Sequence, residues 1–160
     1  MPRVAIALGS NLGDRHRLLD EALAALAAVV DDLHISTFHE TDPVGVRAQP
    51  RFLNAAAIGR TTLEPADLLT VMLEIERTLG RERPHIGAPR TVDLDLILYG
   101  DVVLDEPGVT VPHPRFRDRR FVLEPLAEIA ADWVDPVTGE TIRELLRAVK
   151  PRRREGDELS

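Results

Sequence analysis

The 160-residue chain contains no cysteine, and aromatic residues make up only 4% of it. Without cysteine, neither a disulfide framework nor a thiolate metal site can form, so stability has to come from an apolar core. No apolar run approaches the roughly 20 residues of a membrane span. The N-terminus leads into a short apolar segment instead of a signal peptide. We therefore expect a cytoplasmic protein with no membrane partner.

Lysine is nearly absent as well. The 20 basic residues are nineteen arginines and one lysine, Lys150. Eight of the arginines lie between Arg77 and Arg120. The planar arginine fork suits bidentate contacts with phosphate, although a biased genome composition explains the same excess. The net charge of −7 argues against general nucleic-acid binding. The arginines therefore suggest, at most, a local anion site.

The length and composition indicate one globular domain. A chain of 160 residues that is 44% hydrophobic and 29% charged can bury the core of one domain and is too short for two domains of ordinary size. We predict a single domain over residues 1–150, a polar tail over residues 151–160, and a monomer.

The apolar periodicity predicts the order strand, helix, strand, strand, helix, strand. The predicted strands are Val4–Leu8, Leu33–His39, Phe52–Ile58 and Arg90–Gly100. The first predicted helix is capped by Asp14 and has the apolar stripe Leu19, Leu23, Leu26 and Val30. The second predicted helix runs from Glu64-Pro65 to Gly80. This is the α+β, ferredoxin-like βαββαβ order, in which an antiparallel sheet carries both helices on one face.

The remaining C-terminal part predicts a hairpin and short helices. We expect Gly100-Asp101 to turn the chain back into Val102–Leu104 as a hairpin with the preceding strand. A short helix over Phe121–Ala130 and a turn at Asp135-Pro136 follow. Thr141 and Glu144 have the spacing of a capping box for a last helix.

The strand Arg90–Gly100 has the sequence RTVDLDLILYG and carries two carboxylates, Asp93 and Asp95. Residues two apart on a strand point to the same side, roughly 6 to 7 Å from each other. We therefore predict one face with Asp93, Asp95, Ile97 and Tyr99, and another, facing the helices, with Leu94, Leu96 and Leu98. Close carboxylates repel unless a cation lies nearby. That cation is either an arginine in a salt bridge or Mg²⁺, which takes one or two carboxylates and adds water and phosphate oxygens.

The segment just before the strand favours the metal. Arg81, Arg83 and Arg90 bracket the sequence PHIGAP, in which glycine allows movement and the arginines allow anion contacts. A mobile cationic loop beside a metal-binding carboxylate pair is what transfer of a phosphoryl-type group requires. No Gly-x-x-x-x-Gly-Lys-Ser/Thr motif occurs, so a P-loop nucleotide site is excluded.

Five segments in order resemble the 6-hydroxymethyl-7,8-dihydropterin pyrophosphokinase family: GSNLGDR from Gly9, FLNAA from Phe52, GRER from Gly80, APRTVDLDLILYGD from Ala88 and TVPHP from Thr110. The resemblance runs from about residue 4 to residue 149. It implies transfer of the pyrophosphoryl group of ATP to the hydroxymethyl oxygen of 6-hydroxymethyl-7,8-dihydropterin in folate biosynthesis, with release of AMP. It also implies two Mg²⁺ ions as cofactors and ATP as the co-substrate.

The same resemblance implies a role for each matching residue. Asp93 and Asp95 match the metal-binding pair, and Arg81 and Arg90 match catalytic arginines of the loop. The positions that match ATP contacts are Arg81, Arg83, Arg90, Leu96, Thr110, His113 and Arg119. The positions that match the pterin site are Thr41 and Val44, through their backbone, Phe52 and Phe121, between which the ring would stack, and Asn54, whose amide would read the edge of the ring.

The chain also departs from the family. Ile86-Gly87-Ala88-Pro89-Arg90 replaces the usual Arg-Trp-Gly-Pro-Arg, so the tryptophan that seals the pterin site has no counterpart. Glu76, at an acidic position of the second helix, we take as structural. Two other interpretations stay open from the residues alone. They are a metal-dependent phosphohydrolase or nuclease using Asp93 and Asp95, and a noncatalytic ferredoxin-like module that binds RNA through Lys150–Arg154.

Overall fold

A computed structural model describes residues 1–10, 15–41, 52–80 and 92–149. Within these ranges the elements, in chain order, are β1 (Arg3–Ser10), α1 (Arg15–Leu26), β2 (Asp31–Ile35), β3 (His39–Thr41), β4 (Phe52–Arg60), α2 (Pro65–Gly80), β5 (Asp93–Tyr99), β6 (Leu104–Glu106), β7 (Val109–Val111), α3 (Arg120–Ala130) and α4 (Ile142–Ala148). None of the described helices is long and apolar enough to cross a membrane. The predicted order of strands and helices is confirmed, with the second predicted strand divided into β2 and β3.

The main sheet is antiparallel and has the order β2-β4-β1-β5, with β3 also paired to β4. Strand β1 lies between β4 and β5, and its side chains alternate between two apolar clusters. Val4, Ile6 and Leu8 pack into the first core, beneath α1 and α2, while Ala5 and Ala7 pack into the second core, beneath α3 and α4. Both faces of the sheet are therefore covered, and the predicted ferredoxin-like fold is confirmed.

Helix α2 buries the stripe predicted from its sequence, Leu68, Met72, Ile75 and Leu79. Helix α1 likewise buries Leu19, Leu23 and Leu26, but it ends at Leu26. The prediction that Val30 belongs to this helix is therefore wrong. The chain turns after Leu26 to enter β2 at Asp31, and the N–H of Val30 still donates to the Leu26 carbonyl at 2.8 Å. Its side chain stays in the first core, so the sequence pattern indicated its burial correctly but not its conformation.

The predicted strand Leu33–His39 is interrupted at Ser36. His39 is four positions after Ile35, but its partner Asn54 is only three positions before Ala57, the partner of Ile35. The extra residue is accommodated because the side chain of Ser36 replaces a backbone carbonyl as the hydrogen-bond acceptor. The N–H of Ala56 donates to Ser36 Oγ at 2.9 Å. A serine hydroxyl can compete in this way for backbone partners, and the alternation of apolar residues does not reveal it.

Strand β5 also contains an extra residue. Ala5 of β1 pairs with Leu98, whereas the next residue, Ile6, pairs with Leu96, so Ile97 is bulged. Two residues then oppose one, and the alternation shifts beyond this point. Leu98 consequently packs in the second core and Tyr99 in the first, the reverse of the prediction. For the residues from Asp93 to Ile97 the predicted faces are correct.

The hairpin predicted after β5 is wrong. Gly100 and Asp101 do form a turn, but β6 pairs with β7 in a separate two-stranded sheet, around Pro107-Gly108. Gly108 has a φ of 81°, which a residue with a Cβ seldom adopts, so it supplies the turn that closes this hairpin. The C-terminal helices match the prediction, and Thr141 and Glu144 form the capping box of α4.

A buried ion pair fastens the segment before α3 to the turn before α4. Asp135 is fully buried, and its carboxylate accepts hydrogen bonds from Arg117 Nε at 2.5 Å, Arg117 Nη2 at 3.0 Å, the Val137 N–H at 3.0 Å and Thr138 Oγ1 at 2.8 Å. Burial acts to raise the pKa of Asp135, but these hydrogen bonds outweigh it and hold the pKa below its ordinary value. The pair thus stabilises the fold in its charged form.

We predict that Asp135→Asn lowers the free energy of unfolding by about 3 kcal/mol, because it leaves the Arg117 charge without its partner. Since the folded-state pKa of Asp135 is depressed, its contribution is present above the ordinary aspartate pKa and is lost as the pH falls through the folded-state value. Urea titrations over a pH series should show this component in the parent chain and not in the variant. Asp132→Asn, at a side chain that is 81% exposed, is the matched control. Equal effects of the two substitutions would contradict the prediction.

Candidate active site

Three adjacent strands bring the predicted pterin and metal residues into one row. Gly9 of β1 is paired with Asn54 of β4 on one side and with Asp93 of β5 on the other. Two strand spacings therefore separate Asn54 from Asp93, about 10 Å. The neighbouring row is Ala56, Ala7 and Asp95. These residues alternate along their strands with residues of the first core, such as Leu8 and Leu94, so all of them face the side of the sheet that α3 covers.

A cavity of about 490 Å³ opens over these rows. The sheet contributes its floor and the beginning of α3 one wall, and Glu76 of α2 lines it beside β5. Its lining residues are Ala7, Leu8, Gly9, Phe52, Asn54, Glu76, Asp93, Asp95, Arg119, Phe121 and Val122. The volume lies in the range of small-molecule sites, and the lining combines apolar surface with a few polar groups.

Gly9 keeps the middle of the floor free. A Cβ built on this residue would lie 3.2 Å from Oδ1 of Asn54, which is a tight contact. The backbone of Gly9 is not in the left-handed region, so the glycine is needed for space and not for its conformation. Ala7 in the next row is the smallest side chain after glycine. The small residues of β1 therefore leave room for a ligand between Asn54 and the carboxylates.

The two carboxylates are accessible from the cavity. Asp93 is exposed, and the side chain of Asp95 is 44% exposed although the strand around it is buried. Among the described residues, no group of three His, Cys, Asp or Glu side chains is arranged to hold a metal ion. Two carboxylates that line a cavity fit Mg²⁺, which keeps several waters and completes its shell with phosphate oxygens.

His113 lies beside Asp95 at the edge of β5. Its N–H donates to the Ile97 carbonyl at 3.0 Å, and its ring Nε2 is 3.9 Å from Asp95 Oδ1. Its Nδ1 accepts the N–H of Arg115 at 3.1 Å, so in the neutral ring Nε2 carries the proton. Burial lowers the pKa of His113, and Arg119 and Arg115 lower it further against the opposing effect of Asp95. His113 therefore presents a neutral N–H donor next to the carboxylate pair.

Two aromatic side chains and a cation mark the entrance to the cavity. Phe121 lies in the first turn of α3 and is 43% exposed, while Phe52 is half-buried at the start of β4. The guanidinium of Arg119 lies 5.8 Å from the centroid of the Phe121 ring. Both aromatic rings line the same cavity, which suits binding of a flat heterocycle.

Comparison with known proteins identifies the family. The family model described as 7,8-dihydro-6-hydroxymethylpterin-pyrophosphokinase, or HPPK, matches residues 5–131, which is most of the chain. This chain belongs to the HPPK family. It is therefore a pyrophosphokinase.

Curated HPPK relatives align along nearly the whole chain. The 2-amino-4-hydroxy-6-hydroxymethyldihydropteridine pyrophosphokinase of Bacillus subtilis is 43% identical over 150 residues, covering 92% of this chain and 90% of the relative. The protein of the same name from Pseudomonas aeruginosa is 41% identical over 148 residues, covering 91% of each chain. That of Synechocystis is 42% identical over 146 residues, covering 90% of this chain and 74% of the relative.

The solved structures support the HPPK fold. The crystal structure of wild-type Plasmodium falciparum HPPK-DHPS superposes with a TM-score of 0.73 at 14% identity and covers 91% of this chain. The chain spans 44% of the length of that protein. At this identity the likeness concerns the fold alone.

Most of the predicted site residues whose side chains the structure describes lie around this one cavity. Asp93, Asp95, Phe52, Asn54, Arg119 and Phe121 line one cavity, and His113 borders it. Thr41 is the last residue of β3, opposite Phe52. Val44, Arg81, Arg83 and Arg90 lie outside the described residues.

Two predicted ATP contacts lie elsewhere. The side chain of Leu96 is buried in the first core, on the opposite face of β5 from the carboxylates, so only its backbone can face a nucleotide. Thr110 is on β7, where its hydroxyl donates to Asp105 Oδ1 at 3.2 Å, and it is not among the lining residues of the cavity. The roles of both residues remain predictions.

Gly9 and Glu76 are two of the cavity residues that had no predicted ligand role. Gly9 occurs in the segment GSNLGDR, but sequence alone does not show that it lies between Asn54 and Asp93. The sequence predicts a structural role for Glu76, yet Glu76 lines the same cavity as Asp93 and Asp95. Its position in the buried stripe of α2, one residue after Ile75, was the available signal, because a carboxylate there needs a partner.

We predict that Gly9→Ala raises the dissociation constant of the pterin about 5- to 10-fold. The added methyl group would occupy space on the floor of the cavity, and unfavourable packing of this kind costs on the order of 1 kcal/mol or more. Isothermal titration with the pterin alcohol and a nonhydrolysable ATP analogue measures this. The free energy of unfolding serves as the control and should change by less than about 1 kcal/mol, because the backbone is unstrained. Unchanged pterin affinity would refute the role assigned to Gly9.

Proposed function

We propose that this chain transfers the pyrophosphoryl group of ATP to the hydroxymethyl oxygen of 6-hydroxymethyl-7,8-dihydropterin, and releases AMP, through the cavity between β1, β5 and α3. Membership of the HPPK family makes it a pyrophosphokinase of folate biosynthesis. The observation that carries the assignment to this cavity is the row Asn54, Gly9 and Asp93. It supports the proposal because an amide suited to a heterocycle and a carboxylate suited to a metal lie on either side of an open floor.

Phe52, Phe121 and Asn54 supply the pterin end of the proposed site. The two aromatic rings offer apolar faces to the cavity. A flat bicyclic ligand can stack between them at little cost, because the faces of its ring form few hydrogen bonds with water. Asn54 is 5% exposed and has both an amide donor and a carbonyl acceptor, so it can pair with the edge of the ring. The hydroxymethyl group would then extend along the floor toward β5.

Asp93 and Asp95 supply the phosphate end of the proposed site, as ligands of two Mg²⁺ ions. Bound Mg²⁺ would neutralise phosphate charge and acidify the attacking hydroxyl. Beside the metal ligands, Arg119 contributes a positive charge and His113 an N–H donor for phosphate oxygens. Neither side chain has to give up or accept a proton in this role. Arg81 and Arg90 are proposed to stabilise the charge that develops on the transferred group, and Arg83 to contact ATP. Thr110 and the backbone of Leu96 stay candidates for the nucleotide.

The remaining attributes are also proposals. The single domain 1–150, the monomeric state and the cytoplasmic location follow from size, from composition and from the lack of an apolar segment of membrane-spanning length in the sequence. The net charge of −7 supports action on small molecules without a nucleic-acid partner.

Replacement of one carboxylate tests the metal role. We expect Asp95→Asn to lower the rate of AMP formation by at least about a hundredfold, because loss of a metal ligand removes several kcal/mol of transition-state stabilisation. Phosphorus NMR with ATP, Mg²⁺ and the pterin alcohol follows AMP and distinguishes it from ADP. Asp101→Asn, at an exposed aspartate just beyond the same strand, is the matched control and should keep the parent rate. ADP as the product, or full activity of Asp95→Asn, would exclude this mechanism.

Truncation of Phe121 tests the pterin end. We expect Phe121→Ala to raise the KM for the pterin about tenfold while the KM for ATP changes less, because stacking of a flat ring on an aromatic side chain contributes on the order of 1 kcal/mol beyond buried area. Leu73→Ala is the control, since Leu73 is an exposed large apolar residue, 56% exposed, on the outer surface of α2. A pterin KM that stays at the parent value in Phe121→Ala would remove this residue from the site.

A further inference from the structure

Glu76 is a buried carboxylate in the wall of the cavity. It lies on α2 four residues before the helix ends at Gly80, and it is only 8% exposed. It lines the cavity together with Asp93 and Asp95. A carboxylate is costly to bury unless hydrogen-bond donors compensate for the lost water. Its partners therefore indicate what it does there.

One of these partners is the backbone of β5. The N–H of Leu94 donates to Glu76 Oε2 at 2.6 Å, and Leu94 is the residue between Asp93 and Asp95. Strand β5 is at the end of the described sheet, so its outward N–H groups have no neighbouring strand to accept them. A buried N–H without an acceptor is strongly unfavourable. Glu76 thus takes the place of the missing strand at the point where the two carboxylates emerge.

A second contact of the same kind shows that the outer edge of β5 is held by groups outside the sheet. The N–H of His113 donates to the Ile97 carbonyl at 3.0 Å. His113 acts beyond the carboxylates, near the bulge, whereas Glu76 acts between them. Of the two contacts, only that of Glu76 can set the orientation of the peptide that joins Asp93 to Asp95.

We propose that Glu76 is a positioning residue for the metal site. Its hydrogen bond fixes the backbone at Leu94, and this backbone sets the direction in which Asp93 and Asp95 project into the cavity. The proposal rests on the proposed role of these two aspartates as metal ligands. A role of Glu76 as a third ligand is not supported, because the described residues contain no three-residue group arranged for a metal.

Three variants separate the hydrogen bond from the charge. Glu76→Gln keeps an oxygen acceptor and removes the charge, whereas Glu76→Leu removes the acceptor at similar volume. Glu74→Gln is the control, because Glu74 is on the same helix with a side chain that is 67% exposed. The first measurement is amide hydrogen exchange at Leu94 by NMR, in protein without metal or nucleotide. The second is the Mg²⁺ concentration that gives half-maximal AMP formation.

We expect Glu76→Leu to speed exchange at Leu94 by at least about tenfold and to raise the half-saturating Mg²⁺ concentration about 10- to 100-fold, as loss of a residue that orients metal ligands does. Glu76→Gln should stay within about threefold of the parent chain in both measurements, because its oxygen can still accept the N–H. Glu74→Gln should match the parent chain.

Three results would overturn the proposal. One is an effect of Glu76→Gln as large as that of Glu76→Leu, since the charge would then matter and the hydrogen bond would not. Another is an unchanged Mg²⁺ requirement in Glu76→Leu. The third needs no variant: fast exchange at Leu94 in the parent chain would mean that the hydrogen bond is not maintained, so the proposal can fail even where Glu76→Leu does not fold.

Failure of the proposed function has a different outcome. If the parent chain forms no AMP from ATP and the pterin, the metal-dependent reaction is wrong for this site. Protection of Leu94 by Glu76 would still be measurable in the metal-free protein, because that measurement does not depend on turnover.

Discussion

The pairing of β1 with both β4 and β5 is the interaction on which the rest of this structure depends. One face of β1 carries large apolar residues, Val4, Ile6 and Leu8, and the other carries Ala5, Ala7 and Gly9. The large residues join the sheet to α1 and α2. The small ones allow α3 to approach the other face at one end of the strand and leave a cavity at the other. A single strand therefore builds the core and keeps the space for substrates.

The buried carboxylates described in this structure are stabilised by hydrogen bonds from the backbone or from a specific side chain. Asp135 is fully buried and satisfied by Arg117 and two groups of its own turn. Through Arg117 it fastens the segment that leads to Arg119 and Phe121. Glu76 is compensated at least in part by the backbone of Leu94. By contrast, Asp93 and Asp95 are left accessible to the cavity, as ligands for an arriving cation must be. The differing exposure of these carboxylates separates structural acids from those proposed to bind metal.

The sequence was sufficient to predict most of the fold because its signals are local. The stripe of α2, the alternation of β1 and β4, and the capping box of α4 depend on residues within a few positions of one another. Two of the errors occurred where a distant strand decides the outcome. The bulge at Ile97 is set by the pairing with β1, and since Leu98 and Tyr99 are both apolar, their exchange of faces leaves no trace in the pattern. The break at Ser36 depends on a hydrogen bond to Ala56. The pairing of β6 with β7 is a separate case, because it depends on a local turn at Gly108.

By itself, the sequence determined the fold class, the family resemblance and the presence of two carboxylates on one face of a strand. These follow from spacing along the chain, which is visible in the printed residues. Only the tertiary structure decided that Asn54, Gly9 and Asp93 form one row, that Leu96 faces the core, and that Glu76 reaches the backbone between the two aspartates. These facts join residues from separate elements, and strand pairing and helix packing, not distance along the chain, bring them together.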